Sequence, residues 1–280
     1  MDTYTLKSFG DTVRNDYARR TTATHLFEAA SKSYTGVTRA TAAFAAQGLE
    51  TRRMGHPDYD DLQIGEVRTA NIACVFIDLT DFTGRSHWDD PAQVTTLAHA
   101  VLTGFVEVVS IYGGYPLGLR GDGLFAGFGP GVATVAATMA LSACAFALDA
   151  VNREVNPWLT RSGIEPVKAR AGLDYGRIDF VRTGSHESSE VNPIGFAANF
   201  AAKCEKYANS WEIVVGSGLT NLLADTSDFT QHKHSPKTFQ RQYEQHLYPF
   251  YDYNWHPVLP LLPTVARQLD GRPVSAVGIA

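Results

Sequence analysis

Two aspartates in this chain stand where apolar segments run into tight turns. Asp78 closes Val75-Phe76-Ile77 and is followed by Leu79-Thr80-Asp81-Phe82-Thr83-Gly84; Asp122 sits in Arg120-Gly121-Asp122-Gly123, between two apolar arms. Carboxylates held on neighbouring strands can bind two divalent cations about 4 Å apart, the arrangement that clamps the attacking and leaving oxygens of a phosphoryl displacement. Taken singly, each aspartate reads first as a turn residue favoured for its backbone geometry. Together, with apolar strands leading to both and a glycine-flanked loop beside each, they point to a metal site.

Other groups could serve the same chemistry. The turn over 79–84 could offer backbone N–H groups to a triphosphate, with Thr80, Asp81, Phe82 and Thr83 at the phosphates, although a plain strand-to-helix turn predicts the same residues. Arg170 opens Arg-Ala-Gly-Leu-Asp-Tyr-Gly. An arginine in a mostly apolar strand needs an anionic partner, and phosphate or an internal carboxylate would both satisfy it. Asn199 and Lys203 are spaced i,i+4 in an Ala-rich helical segment, which puts an amide and a cation on one face. Small residues there permit close approach of a ligand or partner, and a packed helix with a solvated edge accounts for them as well. His232-Lys233-His234 reads as a solvent-facing loop. Asp58-Tyr59-Asp60-Asp61 reads as a solvated one, lacking a rigid element to converge its carboxylates.

The aspartates need strands to bring them together. Residues 71–78 form the first strand, apolar on both faces and therefore central. Residues 117–128 form a hairpin with Asp122 at its tip; if the second arm lies antiparallel to the first strand, Asp78 and Asp122 sit side by side. Asp90-Pro91 opens a helix whose stripe of Val94, Leu97, Val101, Leu102, Phe105, Val108 and Val109 ends at Gly113-Gly114. A second helix follows over 132–152, strands over 168–175 and 178–183 about Gly176, a third helix over 195–207 and a strand over 212–215. That order is the ferredoxin-like α+β arrangement, an antiparallel sheet with helices on one face, and it makes the first and third strands neighbours. Residues 10–48 carry helix-like periodicity, 50–66 form a polar linker, and the aromatic stretch 238–255 reads as a hairpin covering a sheet edge. The expected division is a helical extension and linker over 1–66, a catalytic domain over 67–256 and a tail over 257–280.

Composition narrows the class. A 280-residue chain that is 44% apolar can bury a large core, and its net charge of -5 lacks the basic surplus of a nucleic-acid binder. Cys74, Cys144 and Cys204 are odd in number, without CxxC spacing, and sit in apolar segments, as buried free thiols in a reducing compartment would. Neither a signal-peptide pattern nor a run of 18 uncharged apolar residues appears. The expectation is a cytoplasmic enzyme with no nucleic-acid or membrane partner.

Taken together, Phe76-x-Asp78-Leu79-x-x-Phe82, Gly113-Gly114 leading to Gly121-Asp122-Gly123, Arg170-x-Gly172-x-x-x-Gly176 and Gly195-x-x-x-Asn199-x-x-x-Lys203 resemble the class III nucleotidyl cyclases, in order over 71–215. The resemblance implies a ferredoxin-like class III cyclase domain whose Asp78 and Asp122 hold two Mn²⁺ or Mg²⁺ with help from the Leu79 carbonyl. It implies that Arg170 grips phosphate, that Asn199 and Lys203 steady the transition state, and that a homodimer shares its sites between subunits. Gly118 stands where adenylate cyclases carry a base-reading Lys, Asn192 where Asp is usual, Lys203 where Arg is usual, and Asp81 where Gly is usual. A lone domain with this pattern is similar to the Pycsar cyclases, antiphage enzymes that make cyclic UMP or cyclic CMP. Tyr115 and Arg120 are the bulky neighbours expected to narrow a pyrimidine pocket. The expected substrate is UTP, with CTP the alternative, and a nucleotide sensor without turnover is the competing class.

Overall fold

β1 (Val67–Thr80) runs through the middle of the sheet, and from Ile72 to Val75 every side chain is buried, as a strand covered on both faces requires. The computed structural model describes residues 3–30, 54–269 and 271–276. The helical periodicity read over 31–48 lies outside the described residues.

After β1 come α2 (Phe82–Trp88), α3 (Pro91–Ile111), β2 (Tyr115–Arg120), β3 (Gly123–Phe128) and α4 (Ala133–Ala150). A π turn at Val151–Val155 and α5 (Asn156–Arg161) lead to β4 (Lys168–Gly184), β5 (Ser189–Ile194), α6 (Phe196–Tyr207) and β6 (Ile213–Gly216). Short α7 (Ser217–Thr220) precedes β7 (Phe229–Gln231), the hairpin of β8 (Lys237–Arg241) and β9 (Glu244–Tyr248), β10 (Phe250–Tyr253) and α8 (Leu262–Leu269). α1 (Leu6–Ala30) precedes them all. The main sheet has the order β2-β3-β1-β4-β6-β10-β7, with β5 paired to β4.

β1 and β3 pair antiparallel with Asp78 opposite Gly123, so the expected neighbours are neighbours. The start of α3 is local chemistry: the Asp90 side chain accepts from the Gln93 N–H at 2.8 Å, and Pro91 occupies the first turn. Pro91–Ile111 and Ala133–Arg161 are long and apolar enough to cross a membrane, and here most of the second and half of the first are buried inside the protein.

Four expectations are corrected. Residues 168–184 form one strand, not two; Gly176 lies in register opposite Ile72, and a Cβ there would stand 3.3 Å from Ala197 Cβ, so this glycine admits α6 rather than making a turn. The sheet is mixed, because β6 runs parallel to β4. Helices cover both faces: Ala73, Val75, Ile77 and Leu79 pack with α1, α3 and α4, while Ile72 and Cys74 pack with Ala197, Ala198 and Ala201 of α6. The period-2 alternation of β1 makes these opposite sides. The aromatic tail divides, with β8 and β9 forming their own sheet and β10 covering the edge of β6.

The linker is docked rather than solvated throughout. Asp58, Asp60 and Asp61 are exposed, but His56, Tyr59 and Leu62 are buried. His56 donates through Nε2 to the Gly129 carbonyl at 2.9 Å, and Tyr59 stacks on Phe180 at 3.9 Å. His232 is likewise buried, against Tyr207 and Phe250, because β7 joins the sheet edge just before it; Lys233 and His234 remain exposed. Phe9 and Val13 of α1, together with Leu262, Ala266 and Val274 of the tail, share the core on the α3–α4 side. All three cysteines are free and buried.

One buried carboxylate ties the sheet to its last elements. Asp174 of β4 accepts from the Tyr248 hydroxyl at 2.9 Å and lies under Gly216 and Gly218. Burial pushes its carboxyl up to about 7. A folded value above the unfolded one means that the folded state holds the proton more tightly. The stability this confers is complete below about pH 4 and is lost as pH rises toward 7. Urea midpoints for wild type and Asp174→Asn between pH 4 and 8 should therefore diverge with pH, wild type losing ground as pH rises. Parallel curves would show that the carboxyl is not held protonated.

Candidate active site

Three residues from three adjacent strands line up at one end of the sheet. The registers place Gly123 of β3 and Arg170 of β4 on either side of Asp78, and the Leu79 N–H donates to the Asp122 carbonyl at 3.3 Å. Glycine at 123 leaves room for the carboxylate, since a Cβ there would stand 2.8 Å from Asp78 Oδ1. Burial and then the Asp78 charge raise the Asp122 carboxyl above the usual carboxylate range. A cation between the two would relieve that cost.

The residues fit a hard divalent cation. Two carboxylates and a main-chain carbonyl supply oxygen only, which suits Mg²⁺ or Mn²⁺ bound in company with substrate phosphates and water. No group of three or more His, Cys, Asp or Glu converges as a metal cage among the described residues.

Arg170 meets internal carboxylates. Its Nη2 stands 3.0 Å from Asp78 Oδ2 and 2.6 Å from Glu205 Oε1, and Nη1 donates to the Ala208 carbonyl at 3.3 Å. Glu205 is pushed up to about 7, by burial first and then by Asp78.

Gly118, Arg120 and Asn192 line one cavity of about 240 Å³, together with Asp60, Arg182 and Glu190. A Cβ at Gly118 would stand 3.5 Å from Arg120 Nη1, so a guanidinium two residues along occupies the neighbourhood of the absent lysine. Tyr115 is not part of this cavity. Its ring lies 4.0 Å from that of His56, and it lines an adjoining cavity with Pro57 and Val106, which shares Met54, Gly55 and Asp60 with the first. The register shift between Pro116 and Gly118 leaves Tyr115, Gly118 and Arg120 opposite Gly127, Phe125 and Gly123, on one face of the sheet, so position along β2 and not the face taken sets Tyr115 apart.

No protein-family model matches the chain. A curated cytidylate cyclase from Escherichia coli is 24% identical over 204 residues, covering 68% of this chain and 44% of that protein. The chain therefore spans less than half the length of that relative. A crystal structure of a guanylyl cyclase superposes with a TM-score of 0.57 at 22% identity, over 68% of this chain and 94% of that one. The adenylyl cyclase CyaB from P. aeruginosa does so at 0.58 and 19% identity, over 67% and 95%. The chain has the fold of the class III nucleotidyl cyclases.

Within this class III fold the remaining candidates are dispersed. Asn199 and Lys203 lie on the exposed side of α6, whereas Glu205, on its buried side, is the α6 residue that reaches Asp78 and Arg170. Phe82 is buried in the core and lines a groove with Leu119 and Asp122. Thr83 falls in the first turn of α2, and Thr80 leaves a buried hydroxyl without a partner beside the turn. Asp81 takes the left-handed conformation, φ 60° and ψ 16°, which glycine adopts without strain. Asp81→Gly should be neutral or stabilising by up to about 1 kcal/mol, and Asp81→Val should cost at least about 1 kcal/mol, as urea midpoints would register.

Sequence reasoning missed Glu205, Asp60, Arg182 and Glu190. For Glu205 a signal exists: it falls on the buried stripe of Ala197 and Ala201 at i+4 spacing, where a carboxylate needs a partner. The three cavity residues carry none, because they meet Gly118 only through pairing distant in sequence.

Proposed function

We propose that the chain is the catalytic unit of a cytoplasmic pyrimidine nucleotidyl cyclase that converts UTP to 3′,5′-cyclic UMP and pyrophosphate. What supports cyclisation is the single alignment of Asp78 and Arg170 on the adjacent strands β1 and β4 with Asp122 in the turn that enters β3. Asp78 and Asp122, with the Leu79 carbonyl, would hold Mn²⁺ or Mg²⁺. When bound, such ions lower the pKa of the ribose 3′-hydroxyl and offset triphosphate charge. The chain's own part is placement: Arg170 presents a guanidinium to the triphosphate, and the turn of Thr80, Asp81, Phe82 and Thr83 brings backbone N–H groups to it.

Arg120 and Asn192 supply N–H donors to a small cavity, which favours the carbonyl oxygens of uracil. CTP is the second reading. The carboxylates of Asp60 and Glu190 line the same cavity and would accept from an exocyclic amine, and the E. coli relatives bear the name cytidylate cyclase. Incubation with each of the four NTPs and Mn²⁺, with products identified by mass, decides among UTP, CTP and a sensor that binds without turnover. Faster cyclisation of ATP or GTP would end the pyrimidine reading. A cyclic pyrimidine product would act as a second messenger in antiphage defence, as in the cyclases the sequence resembles.

The exposure of Asn199 and Lys203, away from the aspartates of the same chain, supports a homodimer in which each α6 serves the partner's metal site. Mixing inactive Asp78→Ala chains with inactive Asn199→Ala chains should restore one working site per heterodimer. Subunit exchange without recovered activity would show that the sites are not composite.

A further inference from the structure

Asp78, Arg170 and Glu205 form a chain of charges rather than an isolated pair. One guanidinium nitrogen, Arg170 Nη2, serves both carboxylates, at 3.0 Å and 2.6 Å. The set is not saturated, because Arg170 Nε and Glu205 Oε1 are buried without a well-aligned hydrogen bond. Glu205 cannot drift away from this arrangement. A Cβ at Gly172 would stand only 2.0 Å from the Glu205 amide nitrogen, so the helix backbone is pressed onto β4 at that point.

A divalent cation and a guanidinium compete for the oxygens of Asp78, since like charges cannot share one carboxylate at close range without cost. A guanidinium displaced from Asp78 with no second anion would be left buried and unpaired, which is strongly unfavourable. Glu205 is the second carboxylate, 2.6 Å from Arg170 Nη2, and it lies on the side of Arg170 supplied by α6 rather than by β1. We propose that Glu205 is a positioning residue that seats Arg170, letting the guanidinium leave Asp78 when a divalent cation binds while keeping it at the site for the triphosphate. This rests on the metal reading of Asp78 and Asp122 given above. It assigns Glu205 no contact with substrate.

The test is Mn²⁺ binding to the full chain by titration calorimetry without nucleotide, with the melting temperature of every variant recorded. Glu205→Gln leaves Arg170 only Asp78 as a charged partner, so Mn²⁺ should bind about tenfold more weakly, the lower end of what loss of an outer-shell partner costs. Arg170→Gln removes the competitor, and Mn²⁺ should bind more tightly than to wild type. Because Glu205 acts through Arg170, adding Glu205→Gln to Arg170→Gln should change Mn²⁺ affinity by less than about threefold.

Weakening in the first variant, tightening in the second and near-equality of the second with the double variant support the proposal. A merely structural role would shift melting temperatures without that pattern of opposite signs. Wild-type affinity in Glu205→Gln overturns it, as does a tenfold loss between Arg170→Gln and the double variant. If Glu205→Gln does not fold, the comparison of Arg170→Gln with the double variant decides, since neither leaves a buried cation unpaired. Wild-type protein that binds no Mn²⁺, or binds it equally well as Asp122→Ala, overturns the metal reading itself and this inference with it; Asp122-dependent binding combined with an indifferent Glu205→Gln overturns this inference alone.

Discussion

Alanine at Asp78 or at Asp122 should reduce cyclisation by at least about three orders of magnitude, about 4 kcal/mol of transition-state stabilisation, while the fold survives. The two carboxylates are the only side chains assigned to the cation, so either loss leaves a single carboxylate that cannot hold two ions. Stability should move little. Asp122 is held above the ordinary carboxylate range by burial and by the Asp78 charge, so its ionised form already opposes folding. Asp122→Ala should therefore be neutral or slightly stabilising in urea denaturation at pH 8. Asp78→Ala removes one partner of Arg170 but leaves Glu205 at 2.6 Å, so the guanidinium remains paired. Mass detection of cyclic product with saturating Mn²⁺ is the measurement. Wild-type turnover in either variant would remove the two-metal mechanism.

Gly172→Ala should be the most damaging single methyl group in the sheet. An added Cβ would meet the Glu205 amide nitrogen at 2.0 Å and the Ala201 carbonyl oxygen at 2.4 Å. Both are backbone atoms of α6, so no rotamer change relieves the contact and the helix must lift from β4. Overpacking of this kind costs about 3 kcal/mol or more, a large share of a typical domain's stability. The displaced helix carries Asn199 and Lys203 on its outer side and Glu205 on its inner side, so any folded fraction should also lose activity. Gly176→Ala is the control. Its Cβ would stand 3.3 Å from the Ala197 methyl, a side-chain contact that can give by a few tenths of an ångström. Guanidinium or urea midpoints should fall steeply for the first and modestly for the second. Equal midpoints would mean that α6 does not rest on Gly172.

The sequence by itself determined the elements with local causes and the adjacency that follows from them. The Asp90-Pro91 start of α3, the Gly113-Gly114 stop, the hairpin bearing Asp122 and the apolar run ending in Asp78 are set by capping, turn geometry and periodicity within a few residues. Antiparallel pairing of β1 with β3 then brings Asp78 beside Asp122, an inference from order alone. Tertiary structure decided whatever depends on groups far apart in the chain. It chose between phosphate and internal carboxylate for Arg170, because Glu205 arrives from a helix 35 residues later and is pinned there by Gly172. It joined residues 168–184 into one strand, since Gly176 answers to Ala197 and not to its own neighbours. It also walled one cavity with Gly118, Arg120 and Asn192 and left Tyr115 beside His56, an arrangement across the sheet that no local pattern specifies. Side-chain period and turn chemistry are short-range. The partner of a buried charge and the walls of a cavity are set only when distant strands pair and a helix is laid across them.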